Sequence, residues 1–75
     1  MSEINDSFKI SLGKKINALR LARSLGVREF ALIAEIEHHQ LINVEKGRVD
    51  VRLSTLLKIA KGLNVPAKEL LDFEV

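Results

Sequence analysis

Apolar residues recur at steps of three and four along almost the whole chain, and the runs are cut at Gly26, at Gly47 and at Asn64-Val65-Pro66. That spacing lines one face of a helix, and no stretch alternates for long enough to make a strand. A chain of 75 residues has room for one domain. A domain this short buries only roughly 60% of the surface that its unfolded form exposes. Without cysteine it has neither disulfides nor thiolate-bound zinc to staple it. Its stability must come from helix packing, from oligomerisation, or from both.

The periodicity predicts five helices. Phe8, Leu12, Ile16 and Leu19 make one stripe, flanked by Lys9, Lys14, Lys15, Arg20 and Arg23, with Ser7 as the cap of a helix over Phe8 to Ser24. Residues 1–7 are then a loose, polar segment ahead of a domain over 8–75. Val27, Phe30, Ala31 and Ala34 predict a second helix over 27–34. Leu41 and Val44 predict a third over 37–46, closed by Gly47 as its C-cap. Leu53, Leu56, Leu57, Ala60 and Leu63 form the stripe of a fourth, with Asp50 as a candidate cap. Pro66 suits the first position of a fifth helix over Ala67 to Asp72. Phe73 and Val75 leave apolar groups on a tail.

The window from Val27 to Lys46 is the informative one. Ala31 is small where a second helix would cross closely, and Phe30, Ala34, Ile36, Leu41 and Val44 are apolar where two helices would be pinned to a core. Glu37, His38, His39, Gln40 and Asn43 are left on the outer face of the third helix. A helix with such a face enters the major groove with its first residues at base edges. Gln40 and Asn43 carry amides that can pair with adenine, and His38 and His39 can donate to guanine or phosphate. Imidazoles at an interface make binding sensitive to pH.

The chain resembles the Xre-type helix-turn-helix regulators, the family of the lambda repressor and Cro. The resemblance runs without a gap from Leu12 to Leu71. It is carried by Leu12-Gly13-Lys14-Lys15-Ile16, Leu19-Arg20, Leu25, Phe30-Ala31, Ile36, Leu41, Val44-Glu45-Lys46-Gly47, Leu53 and Leu56-Leu57-Lys58-Ile59-Ala60-Lys61. It implies an all-α, lambda repressor-like bundle of five short helices and a sequence-specific DNA-binding regulator, a repressor or controller protein acting as a homodimer. His38 and His39 match base-reading positions, with Gln40 and Asn43 further along; Lys46 and Arg48 match backbone-contacting positions. Val27 and Arg28, at the start of the second helix, and Glu37, at the start of the third, complete the DNA-binding set. Arg20 and Glu45 match an ion pair joining the first helix to the third, and Leu71, Phe73 and Val75 lie where such domains dimerise. The chain departs from the family at Gly26-Val27 (usually Ser-Gln), Glu35 (often glycine), Glu37 (usually Ser or Thr) and Val51 (commonly proline).

Those departures, with Leu32, Ile33 and Ile42 where the family is polar, favour one alternative: a helix-turn-helix fold used to bind a protein, as in an antitoxin or anti-repressor. The net charge of +2, from twelve basic and ten acidic residues, decides little, so the distribution of charge must. No nucleophile with a paired base, phosphate-binding glycine loop or metal-ligand spacing points to an enzyme, a cofactor or a metal. Adjacent helical residues diverge, which argues against His38-His39 as a metal pair. No apolar run approaches the roughly 18 residues of a membrane span. The first residues lack a signal peptide's basic and apolar regions, so the chain is expected in the cytoplasm.

Overall fold

The structure, a computed structural model, describes residues 3–73. It contains helices α1 (Glu3–Ala22), α2 (Val27–Ala34), α3 (His38–Glu45), α4 (Leu53–Leu63) and α5 (Ala67–Leu70), with no strand among the described residues. Their shared core is Leu12, Ile16, Phe30, Ala31, Ala34, Leu41, Val44, Leu56, Ile59, Ala60, Leu63 and Leu70. The all-α class and the five helices follow the sequence reading, and α2 has the expected bounds. For α3, Glu37 and Lys46 are the flanking caps rather than its first and last residues.

Other expectations are corrected. α1 starts at Glu3, so residues 3–7 are helical and Ser7 lies inside the helix instead of capping it. Nothing between Glu3 and Phe8 breaks a helix, and propagation costs little once a long helix exists. α4 is entered through Arg52, with no side-chain cap; Asp50 instead faces Lys9, with Nζ to Oδ1 at 3.6 Å. Pro66 is the N-cap of α5, one position before the helix, and α5 ends at Leu70. The apolar stripe of α4 is also rotated. Leu53 and Leu57 are 70% and 50% exposed, while Thr55 and Ile59 are buried beside Leu56, Ala60 and Leu63. Phe8 is half-exposed at the edge of the core, with its ring edge-on to Phe73 at 6.4 Å.

Four helices end the same way. A residue with positive φ follows each of α1 to α4: Ser24 (57°), Glu35 (62°), Gly47 (70°) and Asn64 (60°). The next amide reaches back five residues, from Leu25 to Arg20, Ile36 to Ala31, Arg48 to Asn43 and Val65 to Ala60. This closure satisfies carbonyls that a helix end would otherwise leave open. After three of the four turns the next residue is apolar and packs on the core: Leu25, Ile36 and Val65. Short connections therefore bring each new helix back across the same core. Only one of the four left-handed positions is glycine, so the other three carry the strain of a Cβ.

α1 and α3 are joined by a buried ion pair. Arg20 Nε donates to Glu45 Oε2 at 2.7 Å and Nη2 to Oε1 at 2.9 Å, with both side chains 7% exposed. Asn17 Nδ2 donates to the same Oε1 at 2.8 Å, and Arg20 Nη1 donates to the Leu25 carbonyl at 2.7 Å. Hydrogen bonding to Glu45 holds the Arg20 guanidinium above its usual range against the opposing effect of burial. One turn from Asn17, Gly13 lets the helices touch: a Cβ there would collide with the carbonyl oxygens of Val44 and Glu45.

Two stability changes follow. Arg20→Ala leaves the Glu45 carboxylate buried without its cation and is expected to cost about 3–5 kcal/mol. Glu35→Gly relieves a left-handed Cβ at an exposed site, and the gain, less the entropy of a new glycine, is about 1 kcal/mol. Urea unfolding of both variants checks these; an Arg20→Ala midpoint equal to wild type would show that the pair carries no such constraint.

Candidate nucleic-acid interface

α3 buries Leu41 and Val44 and turns its opposite side outward. His39 and Gln40 are exposed there, and His38 and Asn43 are half-buried. Two shallow grooves flank this face. One, of about 380 Å³, runs between α3 and the start of α4 and is lined by His39, Gln40, Asn43, Arg52 and Thr55, among others. The second lies against α2 and includes Arg28, Leu32, Glu37, His38 and His39 in its lining. The first turn of α3 thus has Arg28 on one flank and Arg52 on the other. Lys46 and Arg48 stand exposed at its far end.

None of α2, α3 and α4 has a side-chain hydrogen bond at its N-cap, where Gly26, Glu37 and Arg52 stand. Their first backbone N–H groups are left for water or an incoming anion. Val27 is half-buried against the core, so its backbone rather than its side chain faces outward chemistry. Glu37 brings a negative charge to the same rim, which favours the helix dipole but repels a phosphate.

The polar side chains of the face are partly organised already. Gln40 Nε2 donates to Thr55 Oγ1 at 3.2 Å, and Arg48 Nη1 donates to Asn43 Oδ1 at 3.2 Å. The rings of His38 and His39 are 4.6 Å apart and tilted at 53°. Among the described residues no three potential metal ligands cluster. Arg52, a phosphate-clamp candidate of the sequence together with Lys46 and Arg48, borders the face, and Thr55 is the site residue that sequence reading missed. Its position follows from how α4 meets α3, which no local spacing records.

The dimerisation candidates lie away from this face. Leu71 is 52% exposed, and Phe73 packs partly on the core. Both border a groove with Phe8, Val49, Val51 and Leu56. Val75 lies outside the described residues. Leu32 and Ile33 are 80% and 49% exposed, and Ile42 is half-buried. No helix of the described residues is long and apolar enough to cross a membrane.

Partial desolvation lowers the pKa of His38, helped by the charges of Arg28 and His39 and opposed by Glu37. His38 is therefore neutral over a range in which the unfolded chain would hold the proton. Its contribution to stability falls as pH drops through that range. In an NMR titration the His38 midpoint should lie below the ordinary imidazole value and rise towards it in Arg28→Ala; an unmoved midpoint would remove Arg28 from the causes.

No protein-family model matches the chain. It is similar to control protein C.BamHI of Bacillus amyloliquefaciens, 28% identical over 71 residues that span 93% of this chain and 88% of that protein. It is 37% identical over 59 residues to an uncharacterised HTH-type transcriptional regulator of Rickettsia conorii, a match covering 79% of this chain but only 45% of that regulator. Its fold superposes on the restriction-modification controller protein C.AhdI from Aeromonas hydrophila with a TM-score of 0.80, at 28% identity, over 81% of this chain and 92% of that one. The resemblance read from the sequence is thereby borne out: the chain is a helix-turn-helix domain of the kind found in HTH-type transcriptional regulators and restriction-modification controllers.

Proposed function

We propose that the chain is a sequence-specific DNA-binding regulator that acts in the cytoplasm as a homodimer and has no catalytic role. One observation carries the reading. α3 is fixed to α1 by the buried Arg20–Glu45 pair, while its outer side chains stand between Arg28 and Arg52. A rigid helix with a polar face and cations on both flanks fits the major groove, which admits one α-helix between two phosphate backbones. His38, His39, Gln40 and Asn43 then read bases. Arg28, Lys46, Arg48 and Arg52, with the open N-terminal amides of α2 and α4, hold phosphates. Phosphate near His38 favours its charged form, so this contact takes up a proton and strengthens as pH falls.

In the homodimer the exposed apolar groups of α4 (Leu53 and Leu57) and of Leu71, the C-cap of α5, meet those of a second copy. The two α3 helices would then lie about one turn of DNA apart. The relatives support the regulator class: two are named as restriction-modification or control proteins and one as a transcriptional regulator.

A second reading rests on Leu32 and Ile33, adjacent on α2 and both exposed. Such a pair beside the groove-reading face suits a protein partner. Salt separates the readings. Each phosphate contact adds about −0.9 to the slope of log K against log salt concentration, whereas apolar docking has little such slope.

Selection from random duplexes at low and at physiological salt should enrich a nearly palindromic site with a steep salt slope. At that site His39→Ala should cost about 1–3 kcal/mol. A wild-type protein that enriches nothing would move the function to protein binding through Leu32 and Ile33.

A further inference from the structure

Gln40 is exposed, yet its amide already has a partner. Nε2 donates to Thr55 Oγ1 at 3.2 Å, and Thr55 is only 6% exposed in the first turn of α4. Asn43, one turn further along the same face, has its Oδ1 engaged by Arg48. The two amides are therefore left with different free edges. Gln40 keeps Oε1 and one N–H, and Asn43 keeps its Nδ2.

A carboxamide with a free oxygen beside one free N–H complements adenine. In the major groove adenine offers the N6 amine as donor next to N7 as acceptor. Guanine presents two acceptors, O6 and N7, and would set O6 against Oε1. Thymine offers an acceptor and a methyl group, and cytosine only an amine. We propose that Thr55 is a positioning residue that holds Gln40 in the orientation that reads adenine, which rests on the DNA-binding reading above. Buried in the α3–α4 contact, Thr55 acts on the DNA only through Gln40. Its hydroxyl, which can donate or accept, tethers the amide and narrows the broad terminal torsion of glutamine. It also removes in advance part of the rotamer entropy that an exposed glutamine loses on binding. Without the hydroxyl the amide is untethered and no longer aimed at one base, so base discrimination falls while phosphate contacts remain.

The test is selection from duplexes randomised through the half-site, using wild type, Thr55→Val, Thr55→Ser and Gln40→Ala, with melting temperatures and salt slopes measured alongside. The expected result is one adenine position per half-site whose preference drops about tenfold in both Thr55→Val and Gln40→Ala. Thr55→Ser should retain it, and the salt slope should not change. A purely structural threonine would lower the melting temperature and weaken all sequences alike, leaving the preference profile intact, and that result overturns the proposal. So does a Gln40→Ala profile that relaxes at a base other than adenine. If Thr55→Val fails to fold, Thr55→Ala tests the positioning role in its place, and Gln40→Ala, at an exposed position, still overturns the proposal if the adenine preference is unchanged. A wild-type protein that enriches no site defeats the DNA-binding reading itself and this proposal with it.

Discussion

Burying Arg20 with Glu45 removes two charges from water, and that penalty is repaid in only one arrangement of the surrounding chain. Both carboxylate oxygens are occupied, one of them twice, and the guanidinium also holds the Leu25 carbonyl. Among the described residues no buried side-chain nitrogen or oxygen is left without a partner. The pair thus ties together α1, the turn that follows it and the last turn of α3. Such pairs add little net stability over an apolar replacement, but a shift of α3 along α1 would strand a charge. Gly13 acts in the same place and the same sense. Its missing side chain lets the α1 backbone rest on the carbonyls of Val44 and Glu45, which fixes the distance as the ion pair fixes the register. α3 is clamped at its C-terminal end and leaves its first turn clear.

The angle between α2 and α3 has a different origin. It is set by the left-handed turn at Glu35, whose amide and that of Ile36 return to the end of α2. Glycine would adopt this conformation without strain. The chain uses glutamate, and α3 still leaves at the same turn because Ile36 and Leu41 anchor it on either side. Packing here outweighs local backbone preference. The same holds at Ser24 and Asn64, where Leu25 and Val65 supply the anchor.

This division explains what was legible in the sequence. α2 and α3 could be read because Phe30, Ala31, Ala34, Leu41 and Val44 leave one choice of buried face. Once that face is set, His38, His39, Gln40 and Asn43 must lie away from it. α4 is apolar nearly all round, with Leu53, Leu56, Leu57, Ile59 and Ala60 within two turns, so spacing could not choose between its faces. The choice is made by what it packs against, such as Phe30, whose ring lies 3.0 Å from where a Cβ on Gly62 would fall. The start of α1 was misplaced because no residue before Phe8 ends a helix. The partner of Gln40 was hidden for a simpler reason: Thr55 belongs to α4, which meets α3 only in three dimensions, whereas Arg48 reaches Asn43 from the turn that closes α3.

Charge shows the same contrast between sum and placement. The total of +2 is too small to mark a nucleic-acid binder. Among the described residues, however, three acids sit with cations in pairs: Glu45 with Arg20, Glu69 with Lys15 and Asp50 with Lys9. The first is buried, so its charges hardly reach solvent. Around α3 the exposed cations Arg28, Lys46, Arg48 and Arg52 are then opposed mainly by Glu37, since Asp50 shares its field with Lys9. Potentials near a surface follow the local arrangement, because salt screens charges more than roughly 8–10 Å apart. A domain nearly neutral overall can therefore present a positive rim around a polar helix. Here the ion pair that fixes the helix also removes the carboxylate of Glu45 from that rim.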